Sequence, residues 1–166
     1  FEGGFSGDGH FSIDPTLGII RTSEQLDREK VGHYDLIAFA VDRGLPERSA
    51  SVVISITLND INDNAPQFQM SHLDLYIKEN SPIGSTVDSV LATDPDEGAN
   101  ADVQYSIIGG KDADSFSLIT EKNQPAIITT LIELDYESPV KEYTIMIRAR
   151  SFHLFSDATL NIHVQD

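Results

Sequence analysis

Along the chain, apolar side chains come in short runs rather than in helical stripes. The stretches "SVVISITL" (51–58), "DLYIKE" (74–79), "AIITTLIEL" (126–134), "YTIMIRA" (143–149) and "ATLNIHV" (158–164) are rich in β-branched residues, and many of them alternate apolar with polar positions. A period of two is that of a half-buried strand, whose successive side chains point to opposite faces. Between the runs lie "DPTLG", "DRGLP", "NSPIG" and "DPDEG", which combine the proline, glycine and aspartate of turns. Few segments have room for a long helix. The pattern predicts an all-β chain of short strands arranged as a sandwich. Phe116, Leu118, Ile145, Ile147, Leu160 and Ile162 fall on the core-facing side of their strands.

The pattern also recurs. "FSI" at 11–13 returns as "FSL" at 116–118, "LDRE" at 26–29 as "LDYE" at 134–137, "YDLIAFAVD" at 34–42 as "YTIMIRARS" at 143–151, and "ISITLND" at 54–60 as "LNIHVQD" at 160–166. A fixed period of this size marks tandem structural units. The boundary is expected at Asp60–Pro66, with residues 1–64 the C-terminal part of one repeat together with its linker, and residues 65–166 one complete repeat. On this alignment the first repeat lacks its leading strands, which leaves sheet edges exposed. The first half is therefore expected to unfold before the second.

Composition narrows the function. The chain has 166 residues, 40% of them hydrophobic and 23% charged, which is the balance of a globular protein. Acidic residues outnumber basic ones by 27 to 11, for a formal net charge of −16. That charge argues against nucleic acid or an anionic membrane surface as a partner, and for cations. The absence of cysteine excludes disulfides and thiolate metal sites. No apolar run approaches the ~20 residues of a membrane helix. An extracellular reading, with no signal peptide, implies a piece of a longer chain whose membrane segment lies elsewhere.

The acids cluster where strands end. "LDRE" holds Asp27 and Glu29; "DINDN" (60–64) holds Asp60, Asn62, Asp63 and Asn64; "DPDEGAN" holds Asp94, Asp96 and Asn100; "KENSPIG" holds Glu79. Calcium takes six to eight oxygens drawn from carboxylates, amides and backbone carbonyls. A short extended linker of alternating acid and amide offers all three kinds, and Pro66 stiffens its exit. Each cluster taken alone is what an ordinary solvated turn looks like; recurrence at matched places in two repeats favours metal. An EF-hand does not fit, because Ala65 stands where its glycine is required and Ser71 where its bidentate glutamate is required. The five histidines lack zinc-ligand spacing.

"DINDNAPQF", "LDRE", "DPDEGANADVQYSI" and "KENSPIG" together resemble the extracellular repeats of cadherins, over essentially the whole chain. The resemblance implies tandem seven-stranded Greek-key β-sandwiches, the first truncated, with calcium ions at each junction. By motif position, Asp27 and Glu29 of the first repeat would join Asp60, Asn62 and Asp63 of the linker and the carbonyls of Ile61 and Asn64. Asp94, Asp96 and the Asn100 carbonyl would come from the second repeat. Glu79, Asp135, Glu137 and Asp166 would serve the following junction and Asp42 the preceding one, both incomplete here. One position departs from the family pattern: Ser151 in "ARS" stands where "AVD" has Asp42. The ion nearest the second repeat is then expected to be the weakest, and the joint to bend on that side.

The function implied is calcium-dependent cell–cell adhesion by a cadherin ectodomain at the cell surface, part of a single-pass or multi-pass membrane protein. Partners would be cadherin ectodomains in cis or trans, homophilic or heterophilic. The lack of tryptophan removes strand swapping by that residue, and the "ARSFHLFSDA" region resembles the long-ectodomain members of the Fat, Dachsous, Flamingo or protocadherin kind. Two alternatives remain: a calcium-binding structural module of a secreted matrix protein, and a carboxylate-based hydrolase using a pair such as Asp94 and Asp96. Neither a small-molecule substrate nor a catalytic residue is expected.

Overall fold

In a computed structural model, residues 2–6 and 9–166 are described, with side chains from Gly9 onward. The chain divides into two compact units, residues 1–60 and 61–166. Nearly every element is a strand. Two short 3-10 turns, Gly98–Ala101 and Ala113–Ser115, are the only helical segments among the described residues.

The first unit contains β1 (Glu2–Ser6), β2 (Phe11–Ile13), β3 (Ile20–Thr22), β4 (His33–Val41) and β5 (Ser49–Thr57). β1, β4 and β5 form an antiparallel sheet, and β2 pairs with β3 in a separate hairpin. Alternation along β4 turns Tyr34 and Leu36 inward, where they meet Phe11. The rings of Phe11 and Tyr34 pack edge to face at 5.0 Å. Ile20, Leu26, Ile54, Ile56 and Leu58 close the cluster partly. Farther along the same sheet, Val52 lies opposite Ala38 and stays 59% exposed.

The second unit contains β6 (Gln67–Phe68), β7 (His72–Lys78), β8 (Thr86–Val90), β9 (Ala92–Thr93), β10 (Gln104–Gly109), β11 (Phe116–Ile119), β12 (Ala126–Thr130), β13 (Glu142–Ser151) and β14 (Leu154–Gln165). β6 and β7 are one strand interrupted at 69–71, and β8 and β9 one strand interrupted at Leu91, so the nine segments make seven strands. One sheet has the order β10-β13-β14-β7, with β14 and β7 parallel; the other has the order β11-β12-β8, and β6 pairs with β9. The architecture is the all-β sandwich of the sequence pattern.

Strict alternation along β13 and β14 places Ile145, Ile147, Leu160 and Ile162 in full burial between the sheets. Phe116 joins them, edge to face with Tyr143 at 5.7 Å, and Leu118 packs against the cluster half-buried. The run 126–134 is strand only as far as Thr130. Beyond it the chain leaves the sheet, yet Leu134 is completely buried, so its apolar character serves a loop that seals the core. The outer face of the β13–β14 pair is held by Arg148 and Asp157, which form a bidentate pair at 2.7 and 2.8 Å, with the guanidinium stacked on Phe155 at 3.7 Å.

Core truncation will separate the two units. Ile147→Ala is expected to cost about 2–5 kcal/mol, the range for a fully buried isoleucine, whereas Val52→Ala changes stability by less than about 0.5 kcal/mol; denaturant unfolding of each variant measures both. Amides of β4–β5 are expected to exchange faster than those of β13–β14, because far fewer side chains are buried over them. Equal protection in hydrogen exchange would contradict this.

Candidate metal-binding residues

In the first unit the LDRE stretch forms one turn. The Val31 amide donates to the Asp27 carbonyl at 3.0 Å, and the Lys30 amide donates to Asp27 Oδ1 at 3.1 Å. Asp27 Oδ2 also receives Lys30 Nζ at 2.8 Å, and this hydrogen bond, the largest influence, holds the Asp27 carboxyl below its usual range. The Leu58 amide donates to the Gly32 carbonyl at 3.0 Å, which brings the end of β5 beside the turn. Asp60 thereby reaches Arg28, whose Nε lies 2.5 Å from Asp60 Oδ1, while an Nη contacts Glu29. A guanidinium thus lies between two carboxylates expected to ligate a cation. Its sign is readable in the motif itself, as the basic letter between two acids, but its role as an internal counter-charge is not. Asp42 is placed differently: its carboxylate accepts the amides of Arg48 at 2.8 Å and Gly44 at 3.0 Å, and the first of these chiefly lowers its pKa.

At one end of the second unit, the linker residues fold onto the loop that carries Asp94, Asp96 and Asn100. The side-chain amide of Asn64 donates to Asp96 Oδ1 at 2.7 Å and to Asp63 Oδ1 at 2.8 Å, and the Asn64 backbone amide lies 3.4 Å from Asp96 Oδ2. Asp96 is only 6% exposed, and a carboxylate removed from water needs such donors. The Asp96 amide in turn donates to Asp94 Oδ1 at 3.1 Å. Asn100 sits in the Gly98–Ala101 turn, its amide donating to the Glu97 carbonyl at 3.1 Å. Asn62 Nδ2 donates to Ser151 Oγ at 3.0 Å and to the Asn100 carbonyl at 3.3 Å. Ser151, the last residue of β13, is completely buried, and its hydroxyl donates to the Asn100 carbonyl. Asn62 Oδ1 is buried with no hydrogen-bond partner among the described residues. An orphaned oxygen among carboxylate, amide and carbonyl oxygens is what a hard cation would satisfy. Ile61 is exposed, and its carbonyl accepts the Asp63 amide at 2.9 Å.

The structure therefore gathers Asn62, Asp63, Asn64, Asp94, Asp96 and Asn100 around one end of the second unit. The side chain of Asn64, expected to contribute only its carbonyl, turns out to be the main donor to Asp96. A donor's reach across 32 positions leaves no local trace in sequence.

Glu142 and Ser151 bound β13, so the opposite end of the sandwich lies about 30 Å away at ~3.3 Å per residue. There Glu79, Asp135 and Glu137 bring carboxylate oxygens within 4.8 Å of one another. Glu79 accepts the Tyr136 amide at 3.0 Å, Asp135 accepts the Glu137 amide at 2.8 Å, and the Glu79 amide donates to the Gln165 carbonyl at 2.8 Å, one residue before exposed Asp166. A hydrogen bond to its own amide pulls the Glu137 carboxyl down. The charge of Glu79, and hydrogen bonds shared with Glu79 and Asp135, outweigh it and hold Glu137 above the ordinary glutamate range.

A cadherin domain family model matches residues 2–59 and 74–165. The chain belongs to the cadherin family. It is 49% identical over 160 residues to the Drosophila melanogaster protocadherin-like wing polarity protein stan, covering 96% of this chain and 4% of that protein. It is 46% identical over 167 residues to the Homo sapiens cadherin EGF LAG seven-pass G-type receptor 1, covering 100% of this chain and 5% of that protein. Among solved structures, mouse cadherin-23 EC22-24 matches with a TM-score of 0.87 at 32% identity, covering 99% of this chain and 52% of that one. Protocadherin gamma B2 extracellular domains 3-6 match with a TM-score of 0.87 at 27% identity, covering 99% and 40%. The chain is thus a cadherin ectodomain segment that spans a small fraction of its curated relatives. The match to the cadherin family, with relatives named as cadherins and receptors, removes the hydrolase alternative. No helix of the described residues is long and apolar enough to cross a membrane.

Two measurements probe these clusters. Asn64→Ala strips donors from a buried carboxylate and is expected to destabilise the second unit by about 1–3 kcal/mol in chelator, read by denaturant unfolding. Glu137, with its folded pKa raised, binds its proton more tightly folded than unfolded. In calcium-free buffer its contribution is most favourable below the unfolded pKa and is lost as pH rises through the folded one. NMR titration is expected to find Glu137 titrating above an ordinary glutamate, and Glu79→Gln to bring it down.

Proposed function

We propose that this segment binds calcium at the ends of its repeats, and that the bound metal stiffens the joint between tandem repeats of a cell-surface cadherin ectodomain. The gathering of Asn62, Asn64, Asp94, Asp96 and Asn100 at one end of the second unit, with the Asn62 Oδ1 left without a partner, carries this reading. Asp27, Glu29, Asp60 and Asp63 are assigned as carboxylate ligands of the junction, and Ile61 and Asn64 as carbonyl ligands. Asp94 and Asp96 complete the set on the second-repeat side with Asn62 and the Asn100 carbonyl. Glu79, Asp135, Glu137 and Asp166 are assigned to the following junction, and Asp42 to the preceding one.

Calcium would supply the positive charge that this acidic chain lacks and a coordination sphere of oxygens. Without it, like charges about 4 Å apart repel by about 1 kcal/mol per pair even at bulk-water dielectric. In the first unit, Arg28 offsets part of that repulsion between Glu29 and Asp60. A stiffened row of repeats projects an adhesive surface away from its membrane, so cadherin ectodomains in cis or trans are the assigned partners. A receptor setting is favoured over a secreted matrix module by relatives named as seven-pass receptors.

Calorimetric titration of the chain with calcium, and unfolding with and without chelator, test the proposal. Calcium at about 100 times its Kd is expected to stabilise the folded state by ~2.7 kcal/mol. Asp63→Ala is expected to weaken binding by at least about tenfold, since ligand charge tunes calcium affinity. Absence of binding heat and of any shift in unfolding would refute the calcium assignment.

A further inference from the structure

Ser151 stands in the second unit where the first unit has Asp42 of "AVD", and the chemistry at the two positions differs in sign as well as in charge. An aspartate there would be an acceptor, available to a cation. Ser151 instead uses its hydroxyl proton on the Asn100 carbonyl and accepts Asn62 Nδ2 at 3.0 Å, while the same Nδ2 lies 3.3 Å from that carbonyl. The three groups close a triangle of hydrogen bonds in which Ser151 is completely buried. The Asn100 carbonyl, an expected ligand, accepts both donors of the triangle, and Ser151 brings at most a neutral oxygen where an aspartate would bring a charge. An ion at this position is therefore held with less ligand charge than an aspartate would give it.

We infer that the Ser151–Asn62–Asn100 triangle is a metal-independent clasp that keeps the linker seated on the second repeat when calcium is withdrawn. The inference rests on the calcium reading of the junction only for its consequence. Other contacts act in the same direction: Asn64 bridges Asp63 and Asp96, Ser156 Oγ donates to the Pro66 carbonyl, and β6 pairs with β9. Each joins protein groups directly, with no bond to a metal. Loss of calcium then frees the chain ahead of Asn62, on the first-repeat side, which reverses the expectation drawn from sequence. The clasp also orients the Asn62 amide: its nitrogen is committed to Ser151 and Asn100, which leaves Oδ1 as the atom a cation can use.

Hydrogen exchange at the Asp63 and Asn64 amides of the whole chain, in calcium and in EDTA, reads the clasp directly. The wild type is expected to keep most of its linker protection in EDTA. Ser151→Ala is expected to lose about tenfold of that protection, the equivalent of one net hydrogen bond. Asn62→Ala, which leaves the buried serine untouched, is expected to do the same, with β13–β14 protection as the control for folding. Ser151→Asp cannot donate to the carbonyl. It is expected to lose linker protection in EDTA, regain it in calcium, and bind calcium more tightly than the wild type. The clasp is overturned if wild-type linker amides exchange at unprotected rates in EDTA, or if neither Ser151→Ala nor Asn62→Ala changes them. Protection in EDTA combined with no calcium binding would instead leave the clasp standing and defeat the calcium reading.

Discussion

Asp96 carries its carboxylate into a nearly water-free position, and much of the chemistry at that end of the second unit follows from the need to satisfy it. Asn64 does so with its side-chain amide and, at longer reach, its backbone amide, which ties the linker to the loop after β9. The Asp96 amide, in turn, fixes Asp94. Once Asn64 is held, Asn62 two residues earlier is brought to Ser151 and Asn100. A buried charge thus converts a polar linker into part of a folded unit, and the oxygens left over are the ones a hard cation recognises.

Charge is distributed in the same spirit. A net charge of −16 would oppose compaction if the acids were spread evenly. Several basic residues instead stand close to them: Arg28 between Glu29 and Asp60, Lys30 on Asp27, Arg148 on Asp157. At the far end of the second unit no such cation is set between Glu79, Asp135 and Glu137 among the described residues; Tyr136 occupies the position that Arg28 holds in the first repeat, and Lys141 stacks on its ring. The two acidic ends therefore differ. One is partly neutralised by the protein, and the other shows its repulsion in the raised Glu137 carboxyl.

The recurrence of strands, the alternation along β13 and β14, and the acid and amide letters of "DINDN" are properties of adjacent residues. They were legible because side-chain period and turn chemistry act locally. The core positions Phe116, Ile145, Ile147, Leu160 and Ile162 follow from that period alone. So does the all-β class, and the family resemblance rests on motifs of a few residues each.

What tertiary structure decided was every question of who donates to whom. The run at 126–134 looks like one strand, but only packing determines that it leaves the sheet at Thr130 and returns Leu134 to the core. In sequence Arg28 is only a basic letter between two acids; the Leu58–Gly32 hydrogen bond is what sets Asp60 beside it. Ser151 reads as a lost carboxylate until its burial forces the hydroxyl to find the Asn100 carbonyl. A sequence determines the period of its strands and the inventory of its polar groups. The pairing of those groups depends on burial, because only where water is excluded must each donor and acceptor find a partner within the protein.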